Sequence, residues 1–193
     1  MNAQLRALTF ILAAALAGAP APAGECGTTA YECAVFHVGR REFAEAIRRL
    51  APLLQATPRD LRTLNLLGIA LTGAGRKQEA NQRFREALAV DPHFYPALKN
   101  LAINDYDAGR SEAARQGFEG VLKIAPKDQV SHLYLAEIHY GAGRRREALA
   151  HFDESGDGYA QDARSALHYG RCLLDAGRTG QALTALGQIA KDA

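Results

Sequence analysis

Residues 64–92 read LNLLGIALTGAGRKQEANQRFREALAVDP, and this stretch determines the fold. Residues 98–126, LKNLAINDYDAGRSEAARQGFEGVLKIAP, repeat its pattern 34 residues later. Four residue types recur along the chain at that same period. The recurring positions are Gly75, Gly109, Gly143 and Gly177; Ala80, Ala114, Ala148 and Ala182; Phe84, Phe118 and Phe152; and Pro58, Pro92 and Pro126. Columns that keep one period without an insertion predict a repeat architecture.

Each repeat is predicted to form two helices joined by a tight turn. Leu64, Leu67 and Leu71 follow a helical spacing and lie on one face. Gly75 is expected to end the first helix in a left-handed conformation. Pro92 is expected to end the second helix, because proline cannot continue one. A single hairpin cannot bury its apolar stripe alone, so we predict that successive hairpins stack.

A helix-turn-helix of 34 residues with Leu-Gly, Gly, Ala, Phe and Pro in these columns resembles the tetratricopeptide repeat family. The resemblance implies an all-α fold, a right-handed superhelical solenoid of about five repeats. The predicted repeats are residues 27–60, 61–94, 95–128, 129–162 and 163–193. The first is degenerate, with Arg41 in the glycine column. The fourth has a degenerate second helix, and the fifth is incomplete and lacks the phenylalanine.

Residues 1–23 have the pattern of a secretory signal peptide. Arg6 is the only charge before a short apolar run, which ends in the small residues Ala21 and Ala23. We place cleavage after Ala23 and expect export to the bacterial periplasm or secretion, with residues 24–29 as an N-terminal loop. A retained anchor is the alternative, although the apolar run is shorter than the ~20 residues that a spanning helix needs.

Cys26 and Cys33 are the favoured disulfide pair in an oxidising compartment. Thr29-x-x-Glu32 has the pattern of a capping box that opens a helix. Cys33 would lie one turn into that helix, and the loop that carries Cys26 can fold back to meet it. Two unpaired thiols are the alternative.

Several patterns that resemble catalytic or metal sites are better explained structurally. His132 and His139 share a helical face with Glu137, but their spacing is not His-Glu-x-x-His, so we predict structural histidines. The stretch Asp153-x-Ser-x-Asp-Gly begins like a calcium-binding loop, yet its twelfth position is Arg164 where a glutamate is needed. The sequence therefore predicts no catalytic residue, no metal and no cofactor.

Charge and aromatic content disfavour nucleic acid as a partner. The net charge is only +2, which is too small to drive binding to DNA or anionic lipid. Aromatic residues make up 7% of the chain and are not arranged to stack bases.

The family resemblance also implies a partner-binding groove. In the family, the first helices of successive hairpins line a concave groove that holds an extended peptide or a helix of the partner. The candidate groove residues of this chain are Arg62, Asn65, Ile69, Lys99, Asn100, Ile103, Tyr106, Tyr134, Glu137, Tyr140, Arg164, His168 and Arg171. Tyrosine and arginine carry much of the energy in protein interfaces. The alternative for each residue is that it is merely exposed.

The sequence thus predicts a non-catalytic, extracytoplasmic scaffold or adaptor that binds a peptide or helix of a protein partner. The alternatives are an accessory recruitment module docked on a secreted or membrane-bound enzyme such as a transferase, and an assembly factor of an envelope complex. Leu183, Leu186 and Ile189 lie on the last predicted helix with no polar capping helix after them. We therefore expect this edge to be covered by self-association or by the partner.

Overall fold

The computed structural model describes residues 26–187 of the chain. The predicted signal peptide, its cleavage after Ala23 and the C-terminal Ile189 lie outside the described residues. Within residues 26–187 there are ten α-helices, one 3-10 helix and no β-strand. The α-helices are α1 Ala30–Gly39, α2 Phe43–Ala56, α3 Leu61–Gly73, α4 Lys77–Val90, α5 Tyr95–Asp107, α6 Ser111–Ile124, α7 Gln129–Gly141, α8 Arg145–Glu154, α9 Ala163–Asp175 and α10 Thr179–Gly187; the 3-10 helix is Gly156–Gln161.

The described chain divides into two compact units. The N-terminal unit, residues 26–108, contains α1 to α5, and each helix packs against the next one. The C-terminal unit, residues 109–187, contains α6 to α10, packed in the same consecutive manner. Helices two places apart also touch, α3 with α5 and α7 with α9. The predicted all-α class of consecutive helix pairs is confirmed.

The turns between paired helices have the predicted left-handed glycine. Gly75 has a φ of +80° and Gly143 a φ of +75°. The Gly75 N–H donates to the Thr72 carbonyl at 3.0 Å, and the next N–H donates to the Leu71 carbonyl at 2.8 Å. These bonds satisfy carbonyl groups at the end of the helix. In the degenerate first repeat, Arg41 adopts the same conformation with a φ of +63°, which explains why the turn survives without glycine.

The alanine and phenylalanine columns form the core. Ala80, Ala114, Ala148 and Ala182 are all fully or almost fully buried. Phe84, Phe118 and Phe152 are likewise buried. Gly68 lies under the Phe84 ring, and a Cβ atom added at Gly68 would come within 2.3 Å of that ring. The Leu-Gly pattern is therefore explained by close packing of the first helix against this phenylalanine.

Polar caps start several helices. Thr29 and Glu32 form the predicted capping box at the start of α1, which is confirmed. Three further first helices begin with an aspartate whose carboxylate accepts a backbone N–H three residues later. These caps are Asp60 to Thr63, Asp128 to Ser131 and Asp162 to Ser165. Such a cap contributes about 1 kcal/mol of helix stability.

The fourth repeat ends differently from the second and third. Helix α8 stops at Glu154, and the 3-10 helix replaces the last turn. The Asp153 carboxylate accepts hydrogen bonds from the Tyr169 hydroxyl at 2.8 Å and from Arg178 at 2.7 Å. Burial and the hydrogen bond to Asp153 raise the pKa of Tyr169. The first aspartate of the calcium-like motif is thus engaged by protein groups.

The cysteines occupy two different environments. Cys26 and Cys33 are joined by a disulfide, with their Cα atoms 4.4 Å apart. Cys172 is a buried free thiol on α9, and burial raises its pKa to about 11. A thiol with such a pKa is almost entirely protonated at neutral pH and is a poor nucleophile.

Helix α10 presents both packed and exposed residues. Leu186 packs against α9 at Gly170, where an added Cβ atom would come within 2.7 Å of the leucine side chain. Leu183 is 69% exposed. Of the three edge residues predicted from sequence, Leu183 is therefore exposed, Leu186 is partly buried and Ile189 lies outside the described range. Between residues 26 and 187, none of the helices is both long enough and apolar enough to span a membrane.

Candidate functional site

The candidate residues of the N-terminal unit lie on its first helices, α3 and α5. The two helices are linked by an amide pair in which Asn100 Nδ2 donates to Asn65 Oδ1 at 2.9 Å. Asn100 is 5% exposed, whereas Asn65 is half-buried. The Asn65 amide nitrogen and the Asn100 carbonyl oxygen are not used in this bond. The half-buried Asn65 therefore keeps an amide donor for a partner, and the buried Asn100 orients it.

The other candidates of this unit differ in exposure. Arg62 is exposed at the start of α3, and its guanidinium carbon lies 4.8 Å from the centre of the Tyr31 ring. Ile69 and Ile103 are only 2% and 1% exposed. Both isoleucines therefore belong to the packed floor of the site and offer little surface to a partner. Tyr106 is half-buried on α5.

Lys99 is buried despite its charge. It is 6% exposed, and its Nζ atom lies 5.6 Å from the centre of the Tyr95 ring. A cation over an aromatic face is attracted by the ring quadrupole. The aliphatic stem of a lysine can also cover apolar surface.

A buried amide network supports these helices and was not anticipated from the sequence. Asn104, 1% exposed, donates from Nδ2 to Asn81 Oδ1 at 2.7 Å and to the Thr72 hydroxyl at 3.1 Å. The network joins α5 to both helices of the preceding hairpin. Because an unpaired buried amide would be costly, this network helps to fix the register of the hairpins.

The candidates of the C-terminal unit form a connected group on α7 and α9. His168 Nδ1 lies 2.9 Å from Glu137 Oε2. The His168 ring also stacks on the Tyr140 ring, with centroids 3.9 Å apart and an interplanar angle of 16°. The Arg145 guanidinium carbon lies 5.7 Å from the centre of the Tyr140 ring. The group joins two successive first helices.

The Glu137–His168 hydrogen bond determines which nitrogen of the imidazole carries a hydrogen. A carboxylate only accepts hydrogen bonds, so His168 Nδ1 carries the hydrogen and donates it. In the neutral ring, Nε2 is then a bare acceptor, and the His168 side chain is 21% exposed. Glu137 itself is only 8% exposed, and its Oε1 atom is buried without a hydrogen-bond partner among the described residues. Glu137 thus holds the ring in place, and His168 presents the accessible polar edge.

The remaining candidates of this unit lie on α7 and α9. Tyr134 on α7 stacks on Phe118, with centroids 4.8 Å apart. Arg164 and Arg171 are both exposed on α9. Their spacing along the helix places them on the same face as His168.

A second histidine cluster lies between α7 and α8. His132 Nε2 lies 3.0 Å from the Pro126 carbonyl, to which it must donate, and His132 Nδ1 lies 3.0 Å from His151 Nδ1. One hydrogen is shared between these two Nδ1 atoms. His139 stacks on His151 at 5.4 Å. Burial, together with His132 and His139, lowers the pKa of His151 to about 4.

These histidines form a packed cluster. Burial also lowers the pKa of His139. Across residues 26–187, no three His, Cys, Asp or Glu side chains are grouped so that they could hold a metal ion. The structural role proposed for His132 and His139 is consistent with these contacts, although His151 was not recognised as their partner from the sequence.

Two equivalent ion pairs connect successive hairpins. Lys77 Nζ lies 2.9 Å from Asp107 Oδ2 in the N-terminal unit. Arg145 lies 2.9 Å from Asp175 Oδ2 in the C-terminal unit. The two pairs are two repeat periods apart in sequence, so the same connection is made in both units.

Two family models match parts of this chain. The tetratricopeptide repeat model matches residues 71–138. A second model, described as anaphase-promoting complex, cyclosome, subunit 3, matches residues 117–189. Together the matches run from residue 71 to residue 189 and include all four cap glycines. No curated protein matches the chain.

Solved structures of MamA have a similar fold. A crystal structure of MamA is 16% identical, with a TM-score of 0.65, and the match covers 82% of this chain and 92% of that chain. MamA 41-end from Desulfovibrio magneticus RS-1 is 19% identical, with a TM-score of 0.66 and coverage of 86% and 96%. The MamA RS-1 ArsTM double mutant is also 19% identical, with a TM-score of 0.67 and the same coverage of 86% and 96%. At such identity the likeness shows the fold alone.

Proposed function

Because this chain is a tetratricopeptide-repeat protein, with the fold of a protein-interaction scaffold, we propose that it binds an extended segment of a partner polypeptide. Each unit carries its own candidate contact surface, on α3 and α5 in the N-terminal unit and on α7 and α9 in the C-terminal unit. The chain acts as an adaptor and catalyses no reaction itself. Its buried Cys172, whose pKa is raised by burial, and its packed histidine cluster fit this role.

The single observation that carries the proposal is the Glu137–His168–Tyr140 group. Glu137 fixes His168 by a bond of 2.9 Å, and Tyr140 supports the ring from one face at 3.9 Å. The Nε2 edge of His168 is thereby held in a defined position before any partner arrives. A polypeptide backbone offers N–H donors and C=O acceptors at regular intervals, so a fixed ring nitrogen suits an extended segment. Preorganisation of this kind reduces the entropic cost of binding.

The amide pair Asn65–Asn100 provides a comparable element in the N-terminal unit. One hydrogen bond of 2.9 Å orients both side chains and leaves an amide donor on the half-buried Asn65. A peptide carbonyl can accept a hydrogen bond from that donor. The two units therefore both carry, on their first helices, polar groups suited to backbone recognition.

The location of the protein is part of the proposal. The signal pattern of residues 1–23 favours export, and the Cys26–Cys33 disulfide is typical of an oxidising compartment. N-terminal sequencing of the protein from its native cell tests this point. Export with cleavage after Ala23 gives Gly24 as the first residue, and a chain that still begins at Met1 contradicts it.

Site-specific photocrosslinking in the native cell tests the binding face. A benzophenone amino acid replaces Tyr140 on the first helix α7, or Ala113 on the second helix α6, where the side chain is exposed. We expect the probe at Tyr140 to give a discrete adduct with one polypeptide and the probe at Ala113 to give none. The variant His168→Ala should reduce the Tyr140 adduct about tenfold, as for loss of an important interface contact. Equal adducts from both positions, or none from Tyr140, would contradict the proposal.

The identity of the crosslinked polypeptide separates adaptor from accessory module. A partner enzyme, such as a membrane-bound transferase, would favour a recruitment module docked on that enzyme. A structural component of an envelope complex would favour an assembly factor. Mass spectrometry of the adduct distinguishes these outcomes.

A further inference from the structure

A cavity of the N-terminal unit is lined mainly by the second helices α2 and α4 and by the loop that follows α2. Its volume is about 410 Å³, within the range of roughly 300–1,000 Å³ that is usual for ligand sites. The wall is mostly apolar and is formed by Leu54, Pro58, Leu64, Ala89 and Val90. None of the candidate groove residues of this unit lines the cavity. The cavity is therefore separate from the binding face of the first helices.

The C-terminal unit uses the equivalent positions differently. His132 and His151 lie two repeat periods after Leu64 and Arg83. Their Nδ1 atoms are 3.0 Å apart, and His132 also contacts the Pro126 carbonyl at 3.0 Å. In that unit, side chains of the protein contact one another across this position. In the N-terminal unit, Leu64 and Arg83 instead border an open cavity.

Arginines give the cavity a positive charge. Arg59 and Arg83 line it together with Glu86, so two arginines less one glutamate leave a net charge of +1. The Arg83 guanidinium already pairs with Glu86 at 2.7 Å. Arg59 is exposed, and no acidic side chain of residues 26–187 pairs with it; the adjacent Asp60 carboxylate instead caps α3 at Thr63. An anionic group of a ligand would therefore find its partner in Arg59.

The exposure of the cavity favours a side chain of a polypeptide over a free small molecule. Pro58, Arg59 and Ala89 are exposed, so the cavity opens to solvent. A site for a small molecule usually buries roughly 70–90% of the surface of its ligand. A side chain that projects from a partner needs only its own surface to be covered, because the backbone that carries it can stay in water.

We propose that this cavity binds a segment of a partner polypeptide in which a large apolar side chain lies beside a carboxylate. The apolar side chain packs on the wall formed by Leu54, Leu64 and Val90, and the carboxylate pairs with Arg59. Arginine and carboxylate form charge-assisted hydrogen bonds, often two in parallel, which fix the orientation of the ligand as well as its affinity. The site goes beyond the proposed contacts of the first helices and does not depend on them.

Methyl NMR of the full mature chain, with labelled leucine and valine, tests the proposal. The probe is a capped hexapeptide with leucine followed by aspartate at its centre. One control peptide has lysine in place of the aspartate, and the other has alanine in place of the leucine. We expect the Leu-Asp peptide to shift the methyl signals of Leu54 and Val90. It should bind at least about tenfold more tightly than either control, as for loss of a charge-assisted hydrogen bond or of a buried leucine.

Matched variants locate the contact. Arg59→Glu should weaken binding of the Leu-Asp peptide at least about tenfold and improve binding of the lysine peptide. Arg85→Glu carries the same change of charge at an exposed residue of α4 outside the cavity, and it should alter neither affinity. Ala89→Trp should abolish binding by filling the cavity, whereas Ala51→Trp, at an exposed residue of α2 outside the cavity, should not. Circular dichroism shows whether each variant keeps its fold, and the loop variant Arg59→Glu tests the charge argument even where Ala89→Trp perturbs packing.

Three results would overturn the proposal. The first is equal affinity for the Leu-Asp peptide and the lysine peptide, and the second is the absence of shifts at Leu54 and Val90. The third is tighter binding of octanoate, a small anion with an apolar chain, that displaces the peptide, since this would assign the cavity to a small molecule. His168→Ala should leave peptide binding intact, so failure here and failure of the crosslinking at Tyr140 are distinguishable.

Discussion

Two neighbouring glycines provide a direct test of the turn that joins each pair of helices. Gly141 is the last residue of α7, and Gly143 is the cap glycine of the same turn. Neither has an atom within 4 Å of an added Cβ. Only Gly143 has a positive φ, at +75°. An alanine at either position has room for its Cβ atom. The difference in stability between the two variants therefore reports the cost of the left-handed backbone conformation at residue 143.

The two substitutions should change the free energy of unfolding in opposite directions. An L-residue in the left-handed conformation costs roughly 1–2 kcal/mol. The reduced entropy of the unfolded chain offsets roughly 0.4–1 kcal/mol of that cost. Gly143→Ala should thus destabilise the protein by about 1 kcal/mol. Gly141→Ala should stabilise it by about 0.5 kcal/mol, because alanine favours the helix.

Urea denaturation at fixed temperature measures both values from the midpoint and slope of unfolding. Thermal unfolding should show Gly143→Ala lowering Tm by about 2–4 °C and Gly141→Ala raising it slightly. Arg41→Gly is the converse experiment, because Arg41 is an exposed residue with a φ of +63°. It should stabilise the protein. A Gly143→Ala variant as stable as the parent would refute the assignment of a left-handed cap.

Three further outcomes follow from the core and from the buried titratable groups. Phe84→Ala should cost about 3–5 kcal/mol in urea denaturation, whereas Leu183→Ala, at a site 69% exposed, should stay within about 0.5 kcal/mol. The pKa of His151 is lowered to about 4, below the usual 6.5, so the folded state favours the neutral ring. The associated stability is present above pH 6.5 and should be lost as the pH falls towards 4, by on the order of 1–2 kcal/mol because solvent screens the partly exposed ring, a loss that His151→Gln should reduce. Cys172, with a pKa raised to about 11, should react with iodoacetamide at pH 8 about a hundredfold more slowly than in the urea-unfolded chain. Rapid labelling of the native protein would contradict its burial.

The regular part of the fold could be predicted from the sequence because it depends on local spacing. A glycine, a buried alanine and a buried phenylalanine at fixed offsets determine the turn and the packing of one hairpin. The turn can also form without its glycine. At Arg41 the backbone makes hydrogen bonds like those at Gly75.

A further periodic signal marks the start of the first helices. The N-cap aspartates Asp60, Asp128 and Asp162 also keep the repeat period. The column is broken at Phe94, where α5 starts without a side-chain cap. With one member missing, the column is less visible than those of glycine and alanine, yet it marks the start of the first helices.

The candidate site was predicted less completely, because it depends on contacts between hairpins. Glu137 and His168 are 31 residues apart, and no local pattern pairs them. Ile69 and Ile103 were expected on the binding face by register but are almost fully buried. Register gives the direction of a residue from the helix axis, whereas its exposure also depends on the size of its neighbours.

Amide hydrogen exchange, measured residue by residue, tests the central claim that hairpins of constant length bury one another's apolar faces. Slow exchange should recur at a spacing of 34 residues or its multiples, including α3 around Leu67 and α7 around Leu135, with fast exchange at the turns of Gly75 and Gly143. Protection that lacks this period, or fast exchange throughout α3 and α7, would contradict the claim.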